Sequence, residues 1–371
     1  MRIAMIGTRG VPARAGGAER VVHELTRELT ARGHDVLVYC RKHYVSTPGG
    51  PELGRAVFTP GLRGKHADAI THTATALLDV LRRDVDVVHL HSPGPALLGW
   101  LPALAGLPLV LTIHAPDWRR DKWSPAARAI LRAGLRCGLR RADVVTAVSQ
   151  PLADELSERF GREVVHVPNA VRPAGPPRPP EAIRQWGLNG DDYVLYVGRV
   201  EPEKRLDLLL GAARDGLEGG RRLVVAADLG EGPYARRCRQ LAGENVLLVG
   251  PQFGRTLDEL YDHASLLVQP SVLEGMSLVL LEAAAHGRCI LAARIAENVA
   301  TMGETILYFQ PDHADDLREQ IRKTLQKGEL RQSLGSAARE HVAGRYAWPV
   351  VAERMESLYA RATGRRPRRR L

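Results

Sequence analysis

The chain has 371 residues, 44% hydrophobic and 25% charged: a globular composition over too much length for one ordinary core, so two or three domains are expected. Its net charge of +10 suits a nucleotide, a phospholipid surface or a nucleic acid, and excludes none of them; only six of the 52 basic residues are lysine, an arginine bias that also fits coding bias. Cys40, Cys137, Cys238 and Cys289 lie far apart with no CxxC pair, which argues against a disulfide framework or a zinc site and fits a reducing cytosol.

The first strand is "RIAMIG" (2–7), whose apolar stretch is too short and too soon broken by glycine for a signal peptide. Behind it, "GTRGVPARAGGAERVV" places Gly7, Gly10, Gly16 and Gly17 out of step with G-x-G-x-x-G, so the dinucleotide fingerprint is absent. Gly16-Gly17 opens a helix near 17–32; the pair either lets backbone N–H groups approach a phosphate or is a flexible loop. Strands follow at "DVLVYC" (35–40), "DVVHL" (86–90), "PLVLTI" (108–113), "DVVTAVS" (143–149) and "EVVHVP" (163–168), with helical segments between them.

Between Val87 and Pro116 there is no Asp, Glu, Lys or Arg, yet Pro93, Pro95, Pro102 and Pro108 punctuate the run. It reads as strand, short helix and strand rather than a membrane span. Asp84-Val85-Asp86 matches D-x-D but enters a strand at its amino end, away from any ligand crevice. His89 and His91 are read as facing opposite ways, one lining an acceptor pocket and one packed. The segment 117–143, with Trp118 and Trp123 near its start, is basic and amphipathic; it either lies on an anionic membrane or presents a solvated helix face.

"NAVRPAGPPRPPEAI" (169–183) reads as a stiff proline-rich linker. The alternation then restarts at "YVLYVG" (193–198), "RLVVAA" (221–226), "NVLLVG" (245–250), "SLLVQP" (265–270) and "RCILAA" (288–293). The chain is therefore expected to hold two doubly wound α/β domains, residues 1–168 and 183–346, joined by a linker at 169–182. A last helical stretch near 333–362, kinked or restarted at Pro349, leads into a charged tail; the part from about 347 to 371 is expected to pack back on the first domain.

Ligands of open α/β sheets sit beyond the carboxyl ends of the strands. There, "GRVEPEKRLDLLL" offers Arg199 at a strand end and Lys204 at a helix start, a pair that either converges on a diphosphate or is surface charge beside Glu201 and Glu203. "LGEGPYARR" makes a glycine turn into a helix. "LEGMSLVLLE" puts Glu274 in a loop and Glu282 about a turn and a half into a helix capped by Ser277. Either the backbone of Gly275, Met276, Ser277 and Leu278 faces an anion, with one carboxylate for each of two flanking sugars, or Glu274 is a plain loop acid and Glu282 an exposed helix position.

"E274-GMSLVLL-E282" resembles the E-x7-E motif of the family four glycosyltransferases. The likeness extends through the Gly16-Gly17 loop, "DVVHLH", "LTIHAPDW", "ADVVTAVS", "VPNAV", "GRVEPEK" and "GEGP", in that order, over nearly the whole chain. It implies a GT-B fold, two Rossmann-like domains facing each other across a crevice, and a retaining, metal-independent transfer from a UDP- or GDP-type sugar. By position, Arg199 and Lys204 would bind the diphosphate, Glu282 the ribose, and Glu274 with residues 275–278 the transferred sugar. His114 would sit at the reacting centre, and Gly16 and Gly17 would close over the phosphates. His89, His91, Trp118 and Arg119 are the acceptor-side candidates; a saccharide, a lipid-linked saccharide or a small molecule is the expected acceptor. No cofactor is implied beyond the nucleotide-sugar co-substrate, and the expected place of action is the cytoplasm, with peripheral membrane contact. "VPNAV" departs from the family pattern at Ala170 and Arg172, "RCILA" after the helix, and the register around Asp228 is irregular. A sugar-nucleotide epimerase of the same architecture is the rival enzyme. An NADP-dependent oxidoreductase using Arg41-Lys42 lacks its glycine fingerprint, and a nucleic-acid-binding protein lacks a recognised motif with only 5% aromatic residues.

Overall fold

Valine-, isoleucine- and leucine-rich runs buried on both faces become parallel strands, and the amphipathic segments between them become the covering helices. The computed structural model describes residues 1–13, 16–62, 64 and 67–364. The chain divides into two units, Met1–Ala170 with the segment from Trp348 onward, and Val171–Ala347.

Among the described residues, the first unit has a seven-stranded parallel sheet: β1 (Arg2–Ile6), β2 (Asp35–Cys40), β3 (Arg55–Phe58), β4 (Val87–His91), β5 (Leu109–Ile113), β6 (Val144–Ala147) and β7 (Val165–His166), in the order β3-β2-β1-β4-β5-β6-β7. Its helices are α1 (Gly17–Ala31), α2 (Ala67–Val80), the short α3 (Pro93–Ala96) and α4 (Trp100–Leu104), α5 (Pro125–Arg141) and α6 (Gln150–Phe160). The second unit has a six-stranded parallel sheet: β8 (Tyr193–Val197), β9 (Arg222–Ala226), β10 (Val246–Leu248), β11 (Leu266–Gln269), β12 (Ile290–Ala293) and β13 (Leu307–Phe309), ordered β10-β9-β8-β11-β12-β13. Here the helices are α7 (Leu206–Ala213), α8 (Pro233–Leu241), α9 (Gly254–His263), α10 (Leu278–Ala285), α11 (Ala296–Met302), α12 (Ala314–Leu325) and α13 (Gly328–Arg345). In each sheet the strand order reverses beside the first strand, between β1 and β4 and between β8 and β11. These are the switch points where a doubly wound sheet opens a ligand crevice.

Two strands lie outside the sequence reading. β3 and β13 are edge strands of four and three residues, "RAVF" and "LYF", without the longer apolar run that marks the equally short edge strands β7 and β10. The uncharged stretch 87–116 folds as β4, α3, α4 and β5, and among the described residues no helix is long and apolar enough to cross a membrane. The proline-rich segment is held on α9: the Arg178 N–H donates to Asp262 at 3.1 Å, its guanidinium meets Asp258 at 2.7 Å, and the Ala182 N–H reaches Glu259 at 2.6 Å.

Pro349 restarts the helix rather than kinking it, because a proline is tolerated in a first turn where its missing N–H has no partner to lose. The resulting α14 (Trp348–Gly364) belongs to the first unit and packs on α1 and on β4, β5 and β6. Glu356 fixes it, accepting from Arg32 at 2.9 Å and pairing with His34 at 2.6 Å. The tail expected at the end of the chain falls on residues 365–371, outside the described residues.

Candidate functional site

In the second unit, β8 and β11 deliver their loops to the same switch point. Lys204 ends a 3-10 turn, Pro202–Lys204, with Arg205 between it and the start of α7, rather than opening the α-helix itself. Its ammonium meets Glu274 Oε1 at 2.5 Å. The same oxygen accepts from Gln269 Nε2 at 2.8 Å, and that amide also donates to Ser277 Oγ at 2.7 Å. Ser277 caps α10, accepting from the Leu280 N–H at 3.4 Å. A single network therefore joins the loop after β8, the last residue of β11 and the start of the helix that carries Glu282.

Arg199 is 48% exposed and stands 3.5 Å from Glu201. Its carbonyl accepts from the Tyr196 hydroxyl at 3.0 Å. Burial holds that phenol neutral, with its pKa well above the ordinary value; Glu274 pushes the same way and Arg199 the other, so both charges act on one hydroxyl. Glu282 is buried, and its Oε2 accepts from the Tyr261 hydroxyl at 2.9 Å. Tyr261 stacks on His286 with ring centroids 5.3 Å apart, and His286 Nδ1 lies 2.6 Å from Asp262. In the next loop Asp228 accepts from the Gly230 N–H at 3.0 Å, and α8 starts at Pro233, so "LGEGP" is a glycine turn into a helix.

In the first unit, the turns after β1 press against the end of β4. Gly7 has φ +114°, and a Cβ there would meet the His91 carbonyl oxygen at 2.5 Å. Gly16 has φ +99° and immediately precedes α1, which begins at Gly17; a Cβ there would meet Glu19 at 2.1 Å. Only glycine fits either place without strain.

His89 and His91 do not face opposite ways. Side chains alternate along a strand, so positions two apart share a face, and the two rings lie 4.0 Å apart. His89 is buried between the Tyr359 hydroxyl of α14, 2.8 Å from Nδ1, and Thr112 Oγ1, 2.7 Å from Nε2. His91 Nδ1 lies 3.0 Å from Nε2 of His114, which follows β5. Burial lowers all three histidines: His89 to about 3, His114 to about 4, and His91 well below the ordinary value, where the neighbouring imidazoles add to the effect. All three are neutral at pH 7.

The acceptor-side candidates part company. Trp118 is 2% exposed and belongs to the hydrophobic core, so its indole lines no surface. Arg119 is exposed and paired with Glu155. Arg41, offered above to a cofactor phosphate, is buried against Asp68 at 2.8 Å. The D-x-D stretch is structural, since Asp86 accepts the Arg2 N–H at 2.8 Å and the Asp84 carbonyl takes the Arg2 guanidinium at 2.8 Å. Among the described residues, no group of three or more His, Cys, Asp or Glu is arranged to hold a metal ion. Gln269, Tyr261 and Tyr359 were not singled out from sequence. Only Gln269 left a signal, as a polar residue ending an otherwise apolar strand.

Two family models match. "Glycosyltransferase Family 4" covers residues 15–174 and "Glycosyl transferases group 1" covers residues 180–341. The D-inositol 3-phosphate glycosyltransferase of Streptomyces bingchenggensis is 30% identical, over 97% of this chain and 89% of that protein. The glycogen synthase of Mycobacterium tuberculosis is 29% identical, over 100% of this chain and 98% of that protein. Among solved structures, the sucrose-phosphate synthase of Thermosynechococcus elongatus superposes with a TM-score of 0.82 at 22% identity, covering 98% of this chain and 99% of that one. Anabaena HepE in complex with UDP-glucose superposes with a TM-score of 0.80 at 17% identity, covering 97% and 99%. Those two likenesses concern the fold, the GT-B pairing of Rossmann-like halves.

Proposed function

The chain belongs to glycosyltransferase family 4, and from that premise we propose that it moves a sugar, with retention of configuration, from a UDP- or GDP-type nucleotide sugar to a hydroxyl of a glycan, glycolipid or small molecule. The observation that carries the reading is the network Lys204–Glu274–Gln269–Ser277 at the start of the helix bearing Glu282. The complexes of HepE with UDP-glucose support the donor class.

Breaking the sugar–phosphate bond leaves negative charge on the departing diphosphate. In this reading Lys204, Arg199 and the first N–H groups of α10 stabilise that charge. Glu274, itself held by the Gln269 amide, already fixes the ammonium, so little reorganisation accompanies the reaction. Glu282, steadied by Tyr261, takes the ribose hydroxyls, and Glu274 with residues 275–278 takes the transferred sugar. In the first unit His114 stands as a neutral imidazole beyond the carboxyl end of β5, and Gly16 and Gly17 open backbone N–H groups to an anion at the start of α1. No step calls on a metal ion, so turnover is expected to survive a chelator.

The exposed face of α5, with Arg132, Arg136, Arg140 and Arg141 beside Ile130, supports peripheral docking on the inner face of an anionic membrane. Flotation with anionic liposomes tests it, and absence of binding at low salt ends it. The donor reading is tested by thermal shift against UDP-, GDP- and ADP-sugars. Stabilisation by a uridine or guanosine sugar is expected; none by any nucleotide sugar would remove the donor assignment.

A further inference from the structure

α5 carries five arginines and no acidic residue over its 17 residues, Pro125–Arg141. Arg128 stands 3.5 Å from Asp121, whereas Arg132, Arg136, Arg140 and Arg141 meet no carboxylate among the described residues. Arg132, Arg136 and Arg140 are exposed and follow one another at four-residue steps, so like charges line one flank of the helix and repel. Ile130, Gly134 and Cys137 step along the other edge, at i, i+4 and i+7. That edge is held against the link between α3 and α4. The Cys137 thiol donates to the Leu97 carbonyl at 3.5 Å, and a Cβ at Gly134 would lie 3.3 Å from the Leu97 N.

The short α4 therefore lies beside the Ile130 edge of α5 and packs on it. Pro102 is buried and Leu101 leans on the core, which turns Trp100 and Leu104, one helical turn apart, to the outside. Trp100 is 41% exposed, Leu104 75% and Ile130 55%. In water this face is unfavourable twice over, since its apolar area stays hydrated and its guanidiniums go unneutralised. A nucleic acid would answer only the arginines. An anionic bilayer answers both halves, with phosphates for the arginines and hydrocarbon just below them for the leucine and isoleucine. An indole is at home on the boundary between the two.

We propose that the first unit docks on an anionic bilayer through α4 and α5 together: Trp100, Leu104 and Ile130 enter the interface as a wedge, and Arg132, Arg136 and Arg140 hold phosphates beside it. The inference rests on the docking reading above and deepens it, from a helix resting on charge to a face anchored in lipid.

The test is partition of the full chain at low salt onto vesicles of phosphatidylglycerol mixed with phosphatidylcholine, against vesicles of phosphatidylcholine alone. Partition is expected on the first kind and not on the second. Leu104→Gln and Leu104→Ser are each expected to lower it about tenfold, the scale of one leucine side chain left in water. Leu104→Met is expected to keep it. Replacing Arg132, Arg136 and Arg140 together by glutamine is expected to lower it about a hundredfold, from the loss of three cations at the surface. Bromine-labelled acyl chains are expected to quench tryptophan emission, and Trp100→Phe to remove that quenching. Melting temperatures matched to the unaltered chain show that each variant is folded. If both polar variants of Leu104 partition like the unaltered chain, or if Trp100→Phe leaves the quenching as it was, the wedge fails and only the arginine contact of α5 stands. Equal partition onto phosphatidylcholine alone overturns the role of the arginines. No partition onto either kind ends the wedge and the docking reading together, and retention by random duplex DNA would then make this face a nucleic-acid surface.

Discussion

In the proposed mechanism Lys204 carries the heaviest demand of any single residue, because its ammonium is already fixed beside Glu274. Lys204→Ala is expected to lower turnover by roughly 10²–10³, the usual cost of removing one fixed donor to developing negative charge; steady-state kinetics that leave the rate unchanged would take Lys204 out of the site. Tyr261→Phe removes the hydroxyl that donates to Glu282 without changing bulk. The loss should be about 1–2 kcal/mol, roughly tenfold in donor affinity by titration calorimetry, with kcat less affected. At this scale the sequence was readable where placement follows spacing. The eight-residue step from Glu274 to Glu282, with Ser277 between as a cap, located both carboxylates and the start of their helix. It was misleading where orientation decides. His89 and His91 share a face, and Trp118, an acceptor-side candidate, is core. Tyr261 and Tyr359 gave no signal because their hydroxyls act across 21 and 270 residues of chain, on Glu282 and His89.

Among the elements, α10 does the most with the least length. It spans eight residues, Leu278–Ala285, and Ser277 both caps it and anchors the Gln269 amide that holds Glu274. Ser277→Ala should therefore cost about 1–2 kcal/mol, combining a lost cap with an amide proton left without its acceptor. Chemical denaturation would register the loss, and an unchanged midpoint would mean that the cap contributes nothing. The close approach of α5 to α3 depends on Gly134, where a Cβ would lie 2.0 Å from the Pro93 carbonyl oxygen. The long strands were legible because each is an apolar run bounded by turn residues. Edge strands β3 and β13 were not, since "RAVF" and "LYF" lack the flanking apolar residues that gave away the equally short β7 and β10.

For the molecule as a whole, buried histidines set the acid limit. His72 and His114 are held by burial at about 4 and His89 at about 3. The unfolded chain binds these protons near pH 6.5, so below that value it is favoured, and stability falls as pH drops towards the folded values. The slope is roughly 1.4 kcal/mol per pH unit for each such histidine. Melting temperatures should decline steeply from pH 6.5 to 4; a flat profile would mean these rings are not held neutral.

The path of the chain adds a constraint of timing. The second unit is one continuous stretch, Val171–Ala347, but the first closes only with α14, the last described helix. On the ribosome, α1, β4 and His89 are made early and wait for Glu356 and Tyr359, which emerge near the end. A stop codon just before Trp348 would spare the unit that holds Lys204 and Glu282, yet injure the amino-terminal half, by stripping from its sheet a helix encoded some 180 codons after the rest of that half.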